Sequence, residues 1–165
     1  MIQKKICMLG ATGVGKTSLV RQFVQSIFSD KYHSTIGVKI DKKVISIDDD
    51  EMTMMLWDVQ GEDEDFKVSP SFLRGASGFL LIVDLTRHET MVTAYSILKM
   101  VERDVGNLPF LILFNKNDLE DEKNISESEM NEIAGASERV LLTSAKTGEM
   151  VEEAFVNLAR QMILF

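Results

Sequence analysis

Four short stretches of the 165-residue sequence hold residue types whose spacing points to chemistry. Gly10-Ala11-Thr12-Gly13-Val14-Gly15-Lys16-Thr17 fits G-x-x-x-x-G-K-[ST]. Glycines at this spacing let successive backbone N–H groups converge on a polyphosphate, and a helix that starts where the loop ends adds its positive end. Lys16 can reach β- and γ-phosphates, and the Thr17 hydroxyl can ligate Mg2+. In Trp57-Asp58-Val59-Gln60-Gly61, the Asp58 carboxylate suits a water-mediated contact to that metal. Gly61 allows its N–H to approach a γ-phosphate closely. In Asn115-Lys116-Asn117-Asp118, the Asp118 carboxylate can accept from both N1–H and the N2 amine of guanine. Adenine has no such pair, and a site built on buried hydrogen bonds rejects the analogue lacking them by roughly 10⁴ or more. Ser144-Ala145-Lys146 can bring a backbone N–H to the guanine O6. The second and fourth stretches are weak signals alone and gain weight from their places after the first.

These residues need elements to hold them. Ile6 to Leu9 is a buried-strand candidate, and Leu19, Val20, Phe23, Val24 and Ile27 recur at helical spacing. Val38 to Ile47 and Met52 to Leu56 form a strand pair. The acidic tract Asp48-Asp49-Asp50-Glu51 between them is predicted as a solvated hairpin turn rather than a metal site. Phe79 to Val83 and Phe110 to Phe114 are continuous apolar runs, as in strands buried on both faces. Helices are expected over Met91–Val101, from the capping box Ser126-x-x-Glu129 through Ile133, and from Val151 to Met162, with a short strand at Val140–Leu142. Alternating strands and helices imply an α/β fold: a mostly parallel sheet with one antiparallel edge strand and helices on both faces. Ligands of such sheets bind beyond the carboxyl ends of the strands, where the four stretches lie.

Composition narrows the rest. The chain is 45% apolar and 27% charged with two Pro, an ordinary globular mixture that fits one domain spanning 1–165. Its single cysteine, Cys7, excludes an internal disulfide and is predicted as a small core residue; a reducing, cytoplasmic setting follows. The net charge of −8 disfavours nucleic acid and anionic lipid as partners. No apolar run approaches a membrane span, and the amino-terminal segment is too short for a signal peptide and has Ile2 where myristoylation needs a glycine. His33 and His88 stand alone and are assigned no function, and Lys42-Lys43 blunts an edge strand.

With these motifs in this order, the sequence resembles the Ras superfamily of small GTPases over essentially its whole length, the Ras and Rab branches most. The resemblance implies a three-layer P-loop NTPase fold with six strands, and a molecular switch that binds GTP or GDP with Mg2+ and hydrolyses GTP. Ser34-Thr35-Ile36-Gly37-Val38 looks like the Rab form of the first switch, whose Thr joins Thr17 and Asp58 around the metal. Phe28 and Tyr32 match aromatics at the base and over the phosphates, and Arg74-Gly75-Ala76 is also Rab-like. The implied nucleotide contacts are residues 12–18 (Thr12, Gly13, Val14, Gly15, Lys16, Thr17, Ser18), Phe28, Tyr32, Thr35, Gly61, Asn115, Lys116, Asp118, Ser144, Ala145 and Lys146, with Lys16, Thr35, Gly61 and Glu62 at the reacting phosphate. Implied partners are an exchange factor, an activating protein and effectors, through residues 29–38 and 58–74 of a monomer. Membrane attachment would need a lipidated tail, which this sequence does not include.

Departures from the family bear on catalysis. Glu62 stands where the family has the Gln that orients the attacking water, and Gln60 where it usually has Ala. Thr12, Gly in many relatives, is expected to crowd the γ-phosphate. No Arg lies between Arg21 and Arg74, so the first switch carries no arginine finger. Slow intrinsic hydrolysis is the expectation, against the alternative of a GTP-bound scaffold that hydrolyses nothing; a P-loop kinase or ATPase has no use for Asn115 and Asp118. Glu62-Asp63-Glu64-Asp65 reads as a solvated helix start, or as a docking surface for a basic partner.

Overall fold

The apolar runs assemble as strands covered on both faces. The computed structural model describes residues 2–31 and 34–165. These form strands β1 (Ile2–Gly10), β2 (Val38–Ile47), β3 (Asp50–Val59), β4 (Gly78–Asp84), β5 (Phe110–Asn115) and β6 (Val140–Leu142). Helices α1 (Lys16–Gln25), α2 (Glu89–Asp104), α3 (Glu127–Ala134) and α4 (Val151–Leu164) connect or follow them. The sheet order is β2-β3-β1-β4-β5-β6, and only the β2–β3 pair is antiparallel. The mostly parallel α/β sheet with an antiparallel edge strand is therefore as expected.

Topology places the site. From β1 the chain runs outward on one side to β3 and β2, and on the other to β4, β5 and β6. The order reverses at β1, so a crevice opens beyond its carboxyl end, where the phosphate loop begins. Side chains along β1 alternate between two cores. Ile6 and Met8 meet Leu19 and Phe23 of α1 and Phe155 and Leu158 of α4 on one face. Cys7 and Leu9 meet Met91, Ala94 and Ile97 of α2 on the other, with Met130 and Ile133 of α3. The Phe23 and Phe155 rings stack at 4.0 Å between centroids. Cys7 is a core residue as predicted, and burial pushes its thiol up to about 12, which suppresses the reactive thiolate.

Three local features differ from the sequence-based expectation. Helix α1 stops at Gln25, because Ser26 turns left-handed (φ 56°) and donates its N–H to the Gln22 carbonyl; Ile27 is thus off the helical stripe and 50% exposed. The hairpin turn is only Asp48-Asp49, with Ile47 paired to Asp50, so half of the acidic tract is strand. Asp48 takes φ 55°, which a two-residue turn demands and Asp tolerates. No helix starts at Glu62–Asp65. There the Asp63 carboxylate accepts the N–H groups of Asp65 and Phe66, a side-chain bond that competes with helix formation. The capping box at Ser126 and Glu129 forms as predicted. Among the described residues, no helix is long and apolar enough to cross a membrane.

Candidate functional site

The four stretches meet in one crevice of about 400 Å³ beyond the strands' carboxyl ends, with Thr12, Lys16, Thr35, Gly61, Asp118 and Lys146 among its walls. Asn115 stitches them together. Its Nδ2 donates to the Val14 carbonyl at 3.0 Å, while its Oδ1 accepts from Thr143 Oγ1 and Ala145 N, both at 3.2 Å. The phosphate loop must bend tightly over this amide. Gly15 has φ 106°, and a Cβ there would lie 2.3 Å from Asn115 Nδ2. The Ala145 N–H is thus engaged by Asn115, and Lys146 is the residue of that stretch at the pocket wall together with Ala145.

Ser144 contributes by holding Asp118: its hydroxyl donates to Oδ1 at 2.7 Å. Lys116 reaches outward to Asp84 Oδ2 at 2.8 Å. Asp84 is fully buried and also accepts from Arg87 Nε at 3.0 Å, and Arg87 Nη2 donates to the Thr12 carbonyl at 2.9 Å. Burial raises Asp84, but hydrogen bonds from Lys116, Thr86 and Arg87 outweigh it and hold the carboxyl below its usual range. Sequence reasoning missed Asp84 and Arg87, although a charge closing an all-apolar strand was a signal: such a charge is buried only when paired.

The metal ligands predicted from sequence converge. Thr17 Oγ1 lies 2.6 Å from Asp58 Oδ2 and 2.8 Å from Thr35 Oγ1. Asp58 Oδ1 is buried and has no hydrogen-bond partner among the described residues. Two hydroxyls and a buried carboxylate with a spare oxygen fit a hard, oxygen-seeking dication such as Mg2+. Burial pushes Asp58 above its ordinary range, against the Thr17 hydrogen bond and the Lys16 charge. Lys16 is 6% exposed, and its Nζ donates to the carbonyls of Ala11 (3.1 Å) and Gly10 (3.4 Å). Burial lowers it to about 8, with Asp58 opposing and Arg87 assisting the fall.

Glu62 is not at the pocket. Its side chain is 7% exposed and turned inward, where Oε1 accepts the Val68 N–H at 3.0 Å. Gln60, Thr12 and Asp63 line the pocket instead. The Thr12 hydroxyl donates to the Gly61 carbonyl at 3.1 Å, so it has work beyond crowding the loop. Phe28 forms part of the wall, Ser18 lies beside Thr17, and Tyr32 falls outside the described residues. A Cβ on Gly61 would sit 2.5 Å from Thr12 Cα and 2.7 Å from its N. Gly61→Ala should therefore push segment 60–62 off the phosphate loop. Overpacking of about 1–3 kcal/mol predicts roughly tenfold weaker binding of a non-hydrolysable GTP analogue, with GDP affinity nearly kept; titration calorimetry with both nucleotides checks this.

Comparison with known proteins agrees with the geometry. A family model described as the Ras family matches residues 5–164. The Ras-related protein Rab-4A of Danio rerio is 35% identical over 161 residues, covering 96% of this chain and 76% of its own length. The protein of the same name from Bos taurus is 34% identical, covering 96% and 74%. With the family model spanning nearly the whole chain and both relatives above 30% identity, the chain belongs to the Ras family of small GTPases.

Proposed function

We propose that residues 1–165 act as one nucleotide-binding domain that is a slow GTPase switch. The observation that carries this reading is the meeting of the Thr17–Thr35–Asp58 cluster, Lys16 and Asp118 on one crevice. In it, Lys16 and the amides of the loop from Gly13 to Ser18 hold the phosphates, with Val14 fixed through Asn115. Phe28 packs near the base and Asp118 selects guanine, with Ser144, Ala145, Lys146 and Lys116 shaping its surroundings. Thr17, Thr35 and Asp58 would hold Mg2+, which when bound neutralises charge developing on the β- and γ-phosphate oxygens. Gly61 places an N–H toward the γ-phosphate position. Exchange factor, activating protein and effectors would engage residues 29–38 and 58–74.

Slow turnover follows from what the pocket lacks. The side chain at 62 is a buried carboxylate engaged with Val68, and Arg87 is engaged with Asp84 and the Thr12 carbonyl. Neither is free to orient water or offset charge, and an arginine finger from a partner would be worth on the order of 10³–10⁵ in rate. Single-turnover GTP decay tests this. The wild type should hydrolyse slowly, and Glu62→Gln should be several-fold faster, because an amide grips the Val68 N–H less strongly and is freer to turn toward the pocket. A rate that does not rise removes Glu62 as the cause. Freshly purified protein should carry mostly GDP; mostly GTP would favour a scaffold that does not hydrolyse.

A further inference from the structure

Gln60 ties the two switch segments to each other. Its Oε1 accepts the Gly37 N–H at 2.8 Å, and its own N–H donates to the Gly37 carbonyl at 2.7 Å. The pair extends the β2–β3 ladder one step past its last register partners, Val38 and Val59. An alanine at 60 keeps the backbone bond and loses the side-chain one. On its other side, segment 60–62 is fastened to the phosphate loop. Glu62 N–H donates to the Gly10 carbonyl at 2.9 Å, Thr12 N–H to the Glu62 carbonyl at 3.0 Å, and the Thr12 hydroxyl to the Gly61 carbonyl at 3.1 Å. Every one of these bonds joins two protein groups directly. Thr35 lies two residues before Gly37, a tether of at most about 7 Å, so fixing Gly37 restricts where the Thr35 hydroxyl can go.

We propose that Gln60 is a positioning residue that keeps the end of the first switch, and with it Thr35, against the phosphate loop in the GDP form as well as in the GTP form. The inference rests on the reading of 29–38 and 58–74 as nucleotide-sensitive segments and adds to it. Ligand-driven ordering acts only through differential contacts. Contacts that Gln60 already supplies in both forms shrink the contrast between them. One net hydrogen bond of ordinary strength shifts the open-to-closed ratio about fivefold.

Amide exchange at Gly37, followed by NMR on the full chain loaded with Mg2+ and either GDP or a non-hydrolysable GTP analogue, tests the proposal. In the wild type, Gly37 should exchange at rates within about twofold in the two forms. Gln60→Ala should speed its exchange about fivefold in the GDP form and much less in the GTP-analogue form. Gln60→Glu, which keeps an acceptor for the Gly37 N–H, should restore slow exchange with GDP. A wild-type Gly37 that exchanges as fast as in Gln60→Ala overturns the proposal, as does a Gln60→Glu protein that behaves like the alanine variant. GDP affinity measured on the same samples separates two failures. If GDP binds and Gly37 ignores residue 60, only the positioning role fails; if the wild type binds no GDP, the nucleotide-switch reading fails and this inference with it.

Discussion

Asp118→Asn should abolish useful GDP binding and transfer preference to a different base. The Ser144 hydroxyl donates to Asp118 Oδ1 at 2.7 Å. In the variant the amide oxygen keeps that bond, so the NH2 turns to the pocket. Guanine presents two donors there, N1–H and the N2 amine, and donor would face donor. Losing two charge-assisted bonds and gaining a clash of like dipoles predicts a fall of roughly 10³–10⁴ in GDP affinity. Xanthine carries an oxygen where guanine has its amine, so xanthosine diphosphate should become the better ligand. Titration calorimetry with Mg2+ and the diphosphates of guanosine, xanthosine and adenosine measures all three. GDP affinity within tenfold of wild type would show that the base is selected elsewhere, and equal affinity of the wild type for GDP and ADP would sink the guanine assignment itself.

Most of the architecture was legible because chemistry and topology repeat each other in this chain. Each apolar run long enough to be a doubly covered strand is followed at once by polar residues, and the sheet delivers all of those to one edge. Thr17, Thr35 and Asp58 are 18 to 41 residues apart in sequence, yet their oxygens lie within 2.6 to 3.5 Å of one another. The motifs for Thr17 and Asp58, and the family resemblance for Thr35, implied that convergence without any contact being visible. What remained hidden was side-chain direction. The pattern after Gly61 could not show that Glu62 faces inward, since that depends on where the fold places the Val68 N–H, six residues on, which donates to its carboxylate. Asn115, expected among the nucleotide contacts, lines the pocket and is also the cross-brace between loops, a role its motif did not show. The Asp84–Arg87–Lys116 cluster was only half legible: Asp84 and Arg87 are three residues apart, but Lys116 follows another strand and only the fold brings it to them. Element ends were hidden for a related reason: Ser26 and Asp48 adopt left-handed backbone where the chain must reverse, and periodicity reports only what lies between such points.

Lys16→Met should separate stability from function in opposite directions. The ammonium is buried, and burial lowers it to about 8 from an ordinary value above 10. The folded-state value lies below the unfolded one, so the fold binds this proton less well than the unfolded chain does. The resulting penalty of about 3 kcal/mol is fully present below pH 8 and fades as pH rises from about 8 to 10.4. Methionine has a similar unbranched shape and no charge, so it removes the penalty at every pH. It also deprives the Gly10 and Ala11 carbonyls of a donor, at 3.4 and 3.1 Å, which returns part of the gain. The net expectation for nucleotide-free protein at pH 7 is a stabilisation of about 1–2 kcal/mol, vanishing near pH 10, read by urea denaturation across that range. Nucleotide affinity should move the other way by at least about a hundredfold, because the only buried ammonium among the described residues of the pocket is the group that offsets phosphate charge. The same protonation should appear in wild-type binding. At pH 8 about half of the free sites lack the proton, so GDP binding should take up roughly half a proton, falling to about a tenth at pH 7. Calorimetry in two buffers of different ionisation enthalpy measures that uptake, and Lys16→Met at concentrations high enough to bind should show none. A variant no more stable than wild type at pH 7, or a wild type that takes up no proton at pH 8, would mean that Lys16 is not held at the expense of the fold for the sake of the phosphates.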